Sequence, residues 1–285
     1  MQNNKNCLWS VTVFILICII VLTAGCMSRK DLKTSSAGYG QREAYSVTDQ
    51  NGIRVSFADK PKRILTLSAY TDQIVLGLVN SDRMAAANQL LDDPQESNII
   101  PISRRISCKI FNPGAEEVLA LKPDIVIASD WIQQEKVNGM RDLGLQVVTV
   151  KGPQSIQDIK DVINQVATAI GEPEKGKDLV RLMDSKLMEL KEKLADIKQK
   201  DRKKIVLLSL MTSYGGAGCT YDAACKEAKV INGIADAGLK NGQPLTKEML
   251  LKINPEIILL PVYTAQGSYD TQGFIDDYIK DPSLK

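Results

Sequence analysis

Two stretches of this chain lie on one another without a gap. "EEVLALKPDIVIA" (116–128) aligns with "EMLLKINPEIILL" (248–260). Glu116 falls on Glu248, Pro123 on Pro255 and Asp124 on Glu256, while Val118, Leu119 and Leu121 fall on Leu250, Leu251 and Ile253. Each copy reads as a helix, a turn containing proline, and a buried strand. Proline stops the helix, because its ring excludes a helical residue before it and it has no N–H to donate. The aliphatic run that follows suits a parallel strand covered on both faces. Helix–strand units look alike in many α/β proteins; the shared proline–acid turn is the added constraint. The chain is therefore expected to hold one αβ unit twice.

The rest of the pattern agrees. "RILTLSA" (63–69), "MAAA" (84–87), "DIVIAS" (124–129) and "QVVTV" (146–150) read as buried strands, with helical spacing at 71–79, 114–121 and 132–143. Helical patterns then run over 155–170 and, after Pro173, over 173–199, where Leu179, Leu182, Met183, Leu187, Leu190, Leu194 and Ile197 form one apolar stripe. The alternation resumes with "KIVLLSL" (204–210) and "EIILLP" (256–261). Strand–helix alternation predicts mainly parallel sheets with right-handed crossovers. "YSVTDQNGIRVSF" (45–57) predicts a hairpin with a type I′ turn at Asn51-Gly52. The expected organisation is an α/β fold of two lobes, 45–172 and 201–285, bridged by one long helix over 173–200.

Composition narrows the function. The net charge is +2 and basic residues are not clustered, so no nucleic-acid footprint is present. There is no histidine, which removes His-based triads and His-containing metal sites. No paired carboxylates emerge at the strand ends. The chain is expected not to be an enzyme and to hold no metal or intrinsic cofactor. Cys219 and Cys225, six apart in "GCTYDAAC", are either a disulfide pair or two small half-buried residues.

Ligands of open α/β sheets bind beyond the carboxyl ends of the strands. Those positions carry Tyr70, Trp131, Tyr214 and Tyr263, although aromatics make up only 5% of the chain. As a set these rings suit a large, partly polar ligand; singly, each could equally pack a loop. "SRRISCK" (103–109) offers Arg104 and Arg105, either to an anionic ligand or to solvent. The glycines of "YGGAGCTYD" (214–222) lack the Gly-Lys-Ser/Thr of a phosphate loop and read as a turn or a close backbone approach.

"PKRILTLSAYTDQIVLGL", "AEEVLALKPDIVIAS" and "LTKEMLLKINPEIILLP" together resemble, in order and spacing, the solute-binding proteins of ABC importers that capture iron–siderophores, haem or cobalamin. The resemblance spans nearly the whole chain after the first 44 residues. It implies two α/β lobes joined by a rigid helix, with ligand in the cleft between them. The family usually continues past "DPSLK" (281–285), so the second lobe is expected to be incomplete. The resemblance also implies that Glu116 and Glu248 each meet the permease dimer, which works with its ATPase. At the start of a helix, both carboxylates also have a purely local role. A ferric siderophore is the expected ligand, with cobalamin or haem as alternatives; a lipid-anchored enzyme or a non-transport surface protein is the alternative of another class.

The N-terminus sets the compartment. "CLWSVTVFILICIIVLTAG" (7–25) carries no charge, and it reads either as a membrane-spanning helix or as a secretory signal. Leu22-Thr23-Ala24-Gly25-Cys26 resembles the lipobox of bacterial lipoproteins. That resemblance implies a signal peptide over 1–25 and diacylation of Cys26. Residues 26–44, polar and rich in Ser and Gly, then form a tether outside the cytoplasmic membrane.

Overall fold

At the centre of the fold is a strand with no exposed residue, β6 (Ile125–Ser129). The computed structural model describes residues 44–94, 96–209, 213–260, 271–278, 280 and 282. In chain order its main elements are β1 (Tyr45–Thr48), β2 (Arg54–Phe57), β3 (Ile64–Thr66), α1 (Ala69–Leu78), β4 (Ala87–Asn88), α2 (Ile100–Ser103), β5 (Lys109–Ile110), α3 (Ala115–Ala120), β6, α4 (Gln134–Asp142), β7 (Val147–Val150), α5 (Ile156–Ala169), α6 (Pro173–Lys193), β8 (Lys204–Leu207), α7 (Thr220–Glu227), β9 (Ile231–Asn232), α8 (Gly233–Asp236), α9 (Lys247–Ile253), β10 (Ile257–Leu259) and α10 (Thr271–Tyr278). Short 3₁₀ turns complete the connections. Among the described residues no helix is long and apolar enough to cross a membrane; the apolar run 7–25 and Cys26 lie outside the described residues.

The architecture is α/β, with parallel sheets in two regions joined in sequence by the long helix α6. The first sheet has the order β3-β6-β7, and Met84 bridges Ile64 on the far side of β3. The second has the order β10-β8-β9. Period-two alternation sorts the first sheet's side chains. Ile64, Ile125, Ile127, Val148 and Val150 pack with Val75, Val162 and Val166 of α1 and α5. Leu65, Leu67, Val126, Ala128 and Val147 pack on the other face with Val118, Val137 and Met140 of α3 and α4. Continuous aliphatic strands are buried because helices cover both faces.

The sequence repeat is a structural repeat. Each copy leaves its helix through one left-handed non-glycine residue, Lys122 (φ 47°) in the first and Asn254 (φ 46°) in the second.

 The two angles are almost the same, and both residues sit directly before the proline. The acid after the proline then reaches across to the neighbouring strand. Asp124 Oδ2 accepts the backbone N–H groups of Lys62 (2.7 Å) and Arg63 (2.8 Å). Glu256 Oε1 accepts that of Lys204 (3.3 Å), while Oε2 pairs with Lys203 Nζ (2.6 Å). Strand registers correspond as well: Ile64 lies opposite Ile125, and Ile205 opposite Ile257. The faces differ in cover. Ile125 and Ile127 are fully buried, whereas their counterparts Ile257 and Leu259 are 44% and 40% exposed.

Two expectations need correction. The hairpin forms, but its turn is not type I′, which needs positive φ at both central residues. Only Gly52 has it (77°); the Gly52 N–H is bonded to Asp49 O and the Asp49 N–H to Ile53 O, closing a three-residue loop. The Asp49 side chain decides this, because its Oδ1 accepts the N–H groups of Asn51 and Ile53 while Oδ2 pairs with Arg141. The helix expected over 173–200 ends at Lys193. Lys229 Nζ donates to the carbonyls of Leu194 and Ala195, satisfying the helix end and complementing its dipole.

Asp72, in the first turn of α1, is fully buried. It accepts hydrogen bonds from Thr66 Oγ1 (2.6 Å) and from the Asn88 N–H (2.7 Å). Burial pushes its carboxyl up from 3.8 to about 7, against the lowering effect of those two bonds and of Lys109. A carboxyl raised on folding favours the fold fully below its unfolded value, and that contribution is lost as pH rises through about 7. Without ionising, Asn can accept the Asn88 N–H on its oxygen and donate its amide to Thr66 Oγ1, whose hydroxyl then turns to Ser68 O. Asp72→Asn should therefore gain stability relative to the parent as pH rises from about 4 to about 8. Urea denaturation at both ends of that window checks this; a pH-independent difference would show that Asp72 does not titrate in it.

Candidate functional site

The parallel register of β3 and β6 brings their carboxyl ends side by side. Ser68 Oγ lies 3.1 Å from Ser129 Oγ and 2.7 Å from Thr71 Oγ1, so these buried hydroxyls satisfy one another. The next residues leave the sheet. Tyr70 lies in the first turn of α1, Trp131 follows β6, and their rings meet at a centroid distance of 5.1 Å, tilted by 45°. Tyr70 Oη donates to Lys151 O (3.1 Å), just past β7. Burial pushes the Tyr70 phenol up to about 12, with a bond to Ser129 acting the other way and Asp130 adding to the rise. Tyr70 is thus a neutral phenol near neutral pH.

Gly152 lets Trp131 take this position. A Cβ there would lie 2.8 Å from Trp131 Cζ3 and 2.9 Å from Asp130 Oδ1. The Gly152 N–H also donates to Asp130 Oδ1 at 2.9 Å, holding the loops after β6 and β7 together. Trp131 stays 57% exposed, so one face of the ring is open to a cavity.

That cavity has a volume of about 1310 Å³. Ser68, Tyr70, Gln73, Ile74 and Trp131 line it from the first sheet region, and Ser213, Tyr214, Thr220, Asn241 and Gly242 from the second. Its floor is made by Ile159, Val162 and Ile163 of α5 and by Leu179, Leu182, Met183 and Lys186 of α6. The apolar stripe of the long helix therefore serves the cavity as well as the core. Tyr214 is fixed by a 2.8 Å bond between its hydroxyl and that of Thr220, the first residue of α7.

The structure brings Tyr70, Trp131 and Tyr214 onto one cavity. Tyr263 lies outside the described residues. Arg104 and Arg105 do not line the cavity; they are exposed at the turn after α2. Their neighbour Lys109 is held at 2.8 Å by Asp92 and at 2.7 Å by Ser103 Oγ. Glu116 and Glu248 are exposed in the first turns of α3 and α9. Thr246 caps α9 by accepting the Met249 N–H; a bond from Glu248's own backbone N–H and then the Thr246 hydroxyl hold the Glu248 carboxyl below its ordinary value.

Cys219 and Cys225 are free thiols, which corrects the disulfide alternative. Cys219 is the N-cap of α7 and Cys225 sits six residues along it. Six residues of helix rise about 9 Å, beyond the roughly 7 Å that a disulfide allows between Cα atoms. Burial pushes the Cys225 thiol up, and Cys219 Sγ donates to Gly216 O at 3.2 Å. The glycine-rich run turns back on 239–241, where Ala217 bridges Lys240.

Sequence reasoning missed Gln73, Lys186 and Asn241. They sit on helix or loop positions that no motif marks. Among the described residues no group of three His, Cys, Asp or Glu side chains could hold a metal ion. The described lining residues include none of these four types.

Comparisons with known proteins agree with this architecture. The family model described as "Periplasmic binding protein" matches residues 64–283. The uncharacterized ABC transporter substrate-binding lipoprotein YvrC of Bacillus subtilis (strain 168) is 27% identical over 251 residues, covering 86% of this chain and 78% of YvrC. The probable siderophore-binding lipoprotein YfiY of the same organism is 23% identical over 186 residues, covering 65% of this chain and 55% of YfiY. Among solved structures, the apo form of the periplasmic haem-binding protein RhuT from Roseiflexus sp. RS-1 shares the fold. Its TM-score is 0.60 at 21% identity, covering 70% of this chain and 76% of that one.

The contact at Gly152 generates a direct test. Gly152→Ala should force Trp131 off its seat while leaving the sheet intact. Trp131 is the one tryptophan after Trp9, so its emission should shift to the red and its acrylamide quenching should rise, with an unchanged far-ultraviolet spectrum. Unaltered emission would mean that the ring is not seated on Gly152.

Proposed function

This chain belongs to the periplasmic binding protein family, and on that premise we propose that it captures a ferric siderophore outside the cytoplasmic membrane and presents it to an ABC permease. Members of the family are non-enzymatic binding proteins, and this chain is an ABC-importer substrate-binding protein. One observation carries the choice of ligand. The cavity offers three aromatic rings and, among its described lining residues, no histidine, thiol or carboxylate to complete a metal's coordination. Tyr70 is a neutral phenol already bonded to a carbonyl. A metal that enters here brings its own ligands, as it does in a siderophore. Haem iron would seek an axial ligand from the protein; the described lining offers only the Met183 thioether and the phenols of Tyr70 and Tyr214, both of which are already hydrogen-bonded. The name of the relative YfiY, a probable siderophore-binding lipoprotein, supports the same reading. The volume also suits a corrinoid, which likewise arrives with its metal enclosed. Cys26 carries the lipid anchor in this reading, and residues 26–44 tether the protein to the membrane.

Titration with ferric siderophores should quench Trp131 fluorescence. Burying one face of an aromatic ring contributes on the order of 1–3 kcal/mol, so Trp131→Ala should weaken binding about tenfold or more. A response to haem or cobalamin, with none to siderophores, would reverse the assignment.

Docking follows from the repeat. Glu116 and Glu248 hold the same position in two copies of one αβ unit, and both are exposed. A dimeric permease presents two equivalent surfaces, and paired carboxylates suit them. Charges at an interface rim set encounter rate and register more than affinity. The double variant Glu116→Ala, Glu248→Ala should bind ligand as the parent does and fail to support uptake. Normal uptake, or lost ligand binding, would remove the docking role.

A further inference from the structure

Charge in the cavity bears on which chelate it takes. Lys186 of α6 is the one charged side chain among the described lining residues. It rests in an exposed ion pair, with both Glu189 oxygens 3.0 Å from its Nζ, a contact that holds it only weakly. Two other lysines near the cavity walls are paired with acids, and Lys240, beside Asn241, is not itself a lining residue. Lys151 is held by Asp158 at 2.7 Å, and Lys160 by Asp184. Arg104 and Arg105 lie elsewhere. The other described lining residues are mainly aliphatic and aromatic, with Ser68, Gln73, Ser213, Thr220 and Asn241 as hydrogen-bonding groups.

Moving a multiply charged complex from water into such walls costs desolvation that one already paired lysine does not offset. An uncharged or singly charged complex avoids that cost, and its apolar periphery gains from burial against the walls. Resting on the siderophore reading above, we propose that the ligand is a metal chelate of zero or one net negative charge with an apolar outer surface, and that Lys186 leaves Glu189 to make its charged contact. Trihydroxamate-type chelates of iron(III) have this chemistry; tris-catecholates, with three negative charges, do not.

The test uses the full chain and three ferric complexes of similar size: an uncharged trihydroxamate, a singly anionic hydroxamate–carboxylate chelate, and a triply anionic tricatecholate. Calorimetry should show the first two binding about 100-fold or more tighter than the third, since a buried unpaired charge is strongly disfavoured. Lys186→Glu should weaken the singly anionic complex about tenfold or more, because it sets like charge against like. Tricatecholate binding as tight as that of the uncharged complex would overturn the charge rule and leave the siderophore reading standing. An unchanged affinity of Lys186→Glu for the singly anionic complex would overturn the lysine contact. Silence toward all three complexes would sink the siderophore reading, and this inference with it.

Discussion

The site depends on the register between β3 and β6. At the amino end of the pair, Asp124 accepts two backbone N–H groups from the chain entering β3. At the carboxyl end, Ser68 and Ser129 meet at 3.1 Å. A slip of one residue would turn every side chain of β3 to the other face. It would put Leu65 where Ile64 packs and would part Tyr70 from Trp131. The carboxylate that fixes the strand start thus sets the position of the serine pair five residues on, roughly 16 Å away at about 3.3 Å of rise per residue, and of the rings that follow it.

The second copy of the unit uses the same device with weaker means. Glu256 accepts one N–H at 3.3 Å where Asp124 accepts two at shorter range. A longer side chain gives up rotamer freedom to reach the same place. Even so, the left-handed residue before the proline and the parallel pairing recur. This places Tyr214, beyond β8, across the cavity from Tyr70 and Trp131, beyond β3 and β6. Paired units turn two sets of strand ends toward one space, which is how a cleft arises from a duplicated motif.

The polar groups at these strand ends are spent on one another. Thr66, Ser68, Thr71, Asp72 and Ser129 are all buried and bonded among themselves or to nearby backbone. They hold the start of α1, and they leave the cavity to rings and aliphatic chains. A wall of this kind recognises shape and surface more than charge. Affinity then rests on how closely the ligand's outer surface matches the spacing of the rings, with a few amides and hydroxyls setting orientation.

Much of this was legible in the sequence. The alternation of strands and helices, the repeat with its proline–acid turn, and Tyr70, Trp131 and Tyr214 at strand ends follow from local rules: period, turn chemistry and the direction of parallel strands. The exposure of Arg104 and Arg105, the end of α6 at Lys193 and the loop closed by Asp49 were decided by tertiary contacts. So was the part that Lys186 and the stripe of α6 take in the cavity. Periodicity tells which residues of a helix share a face, but not whether that face meets a packed core or an open space. Only the positions of α1, α5 and α7 around α6 settle that, and those depend on side chains far apart in the chain.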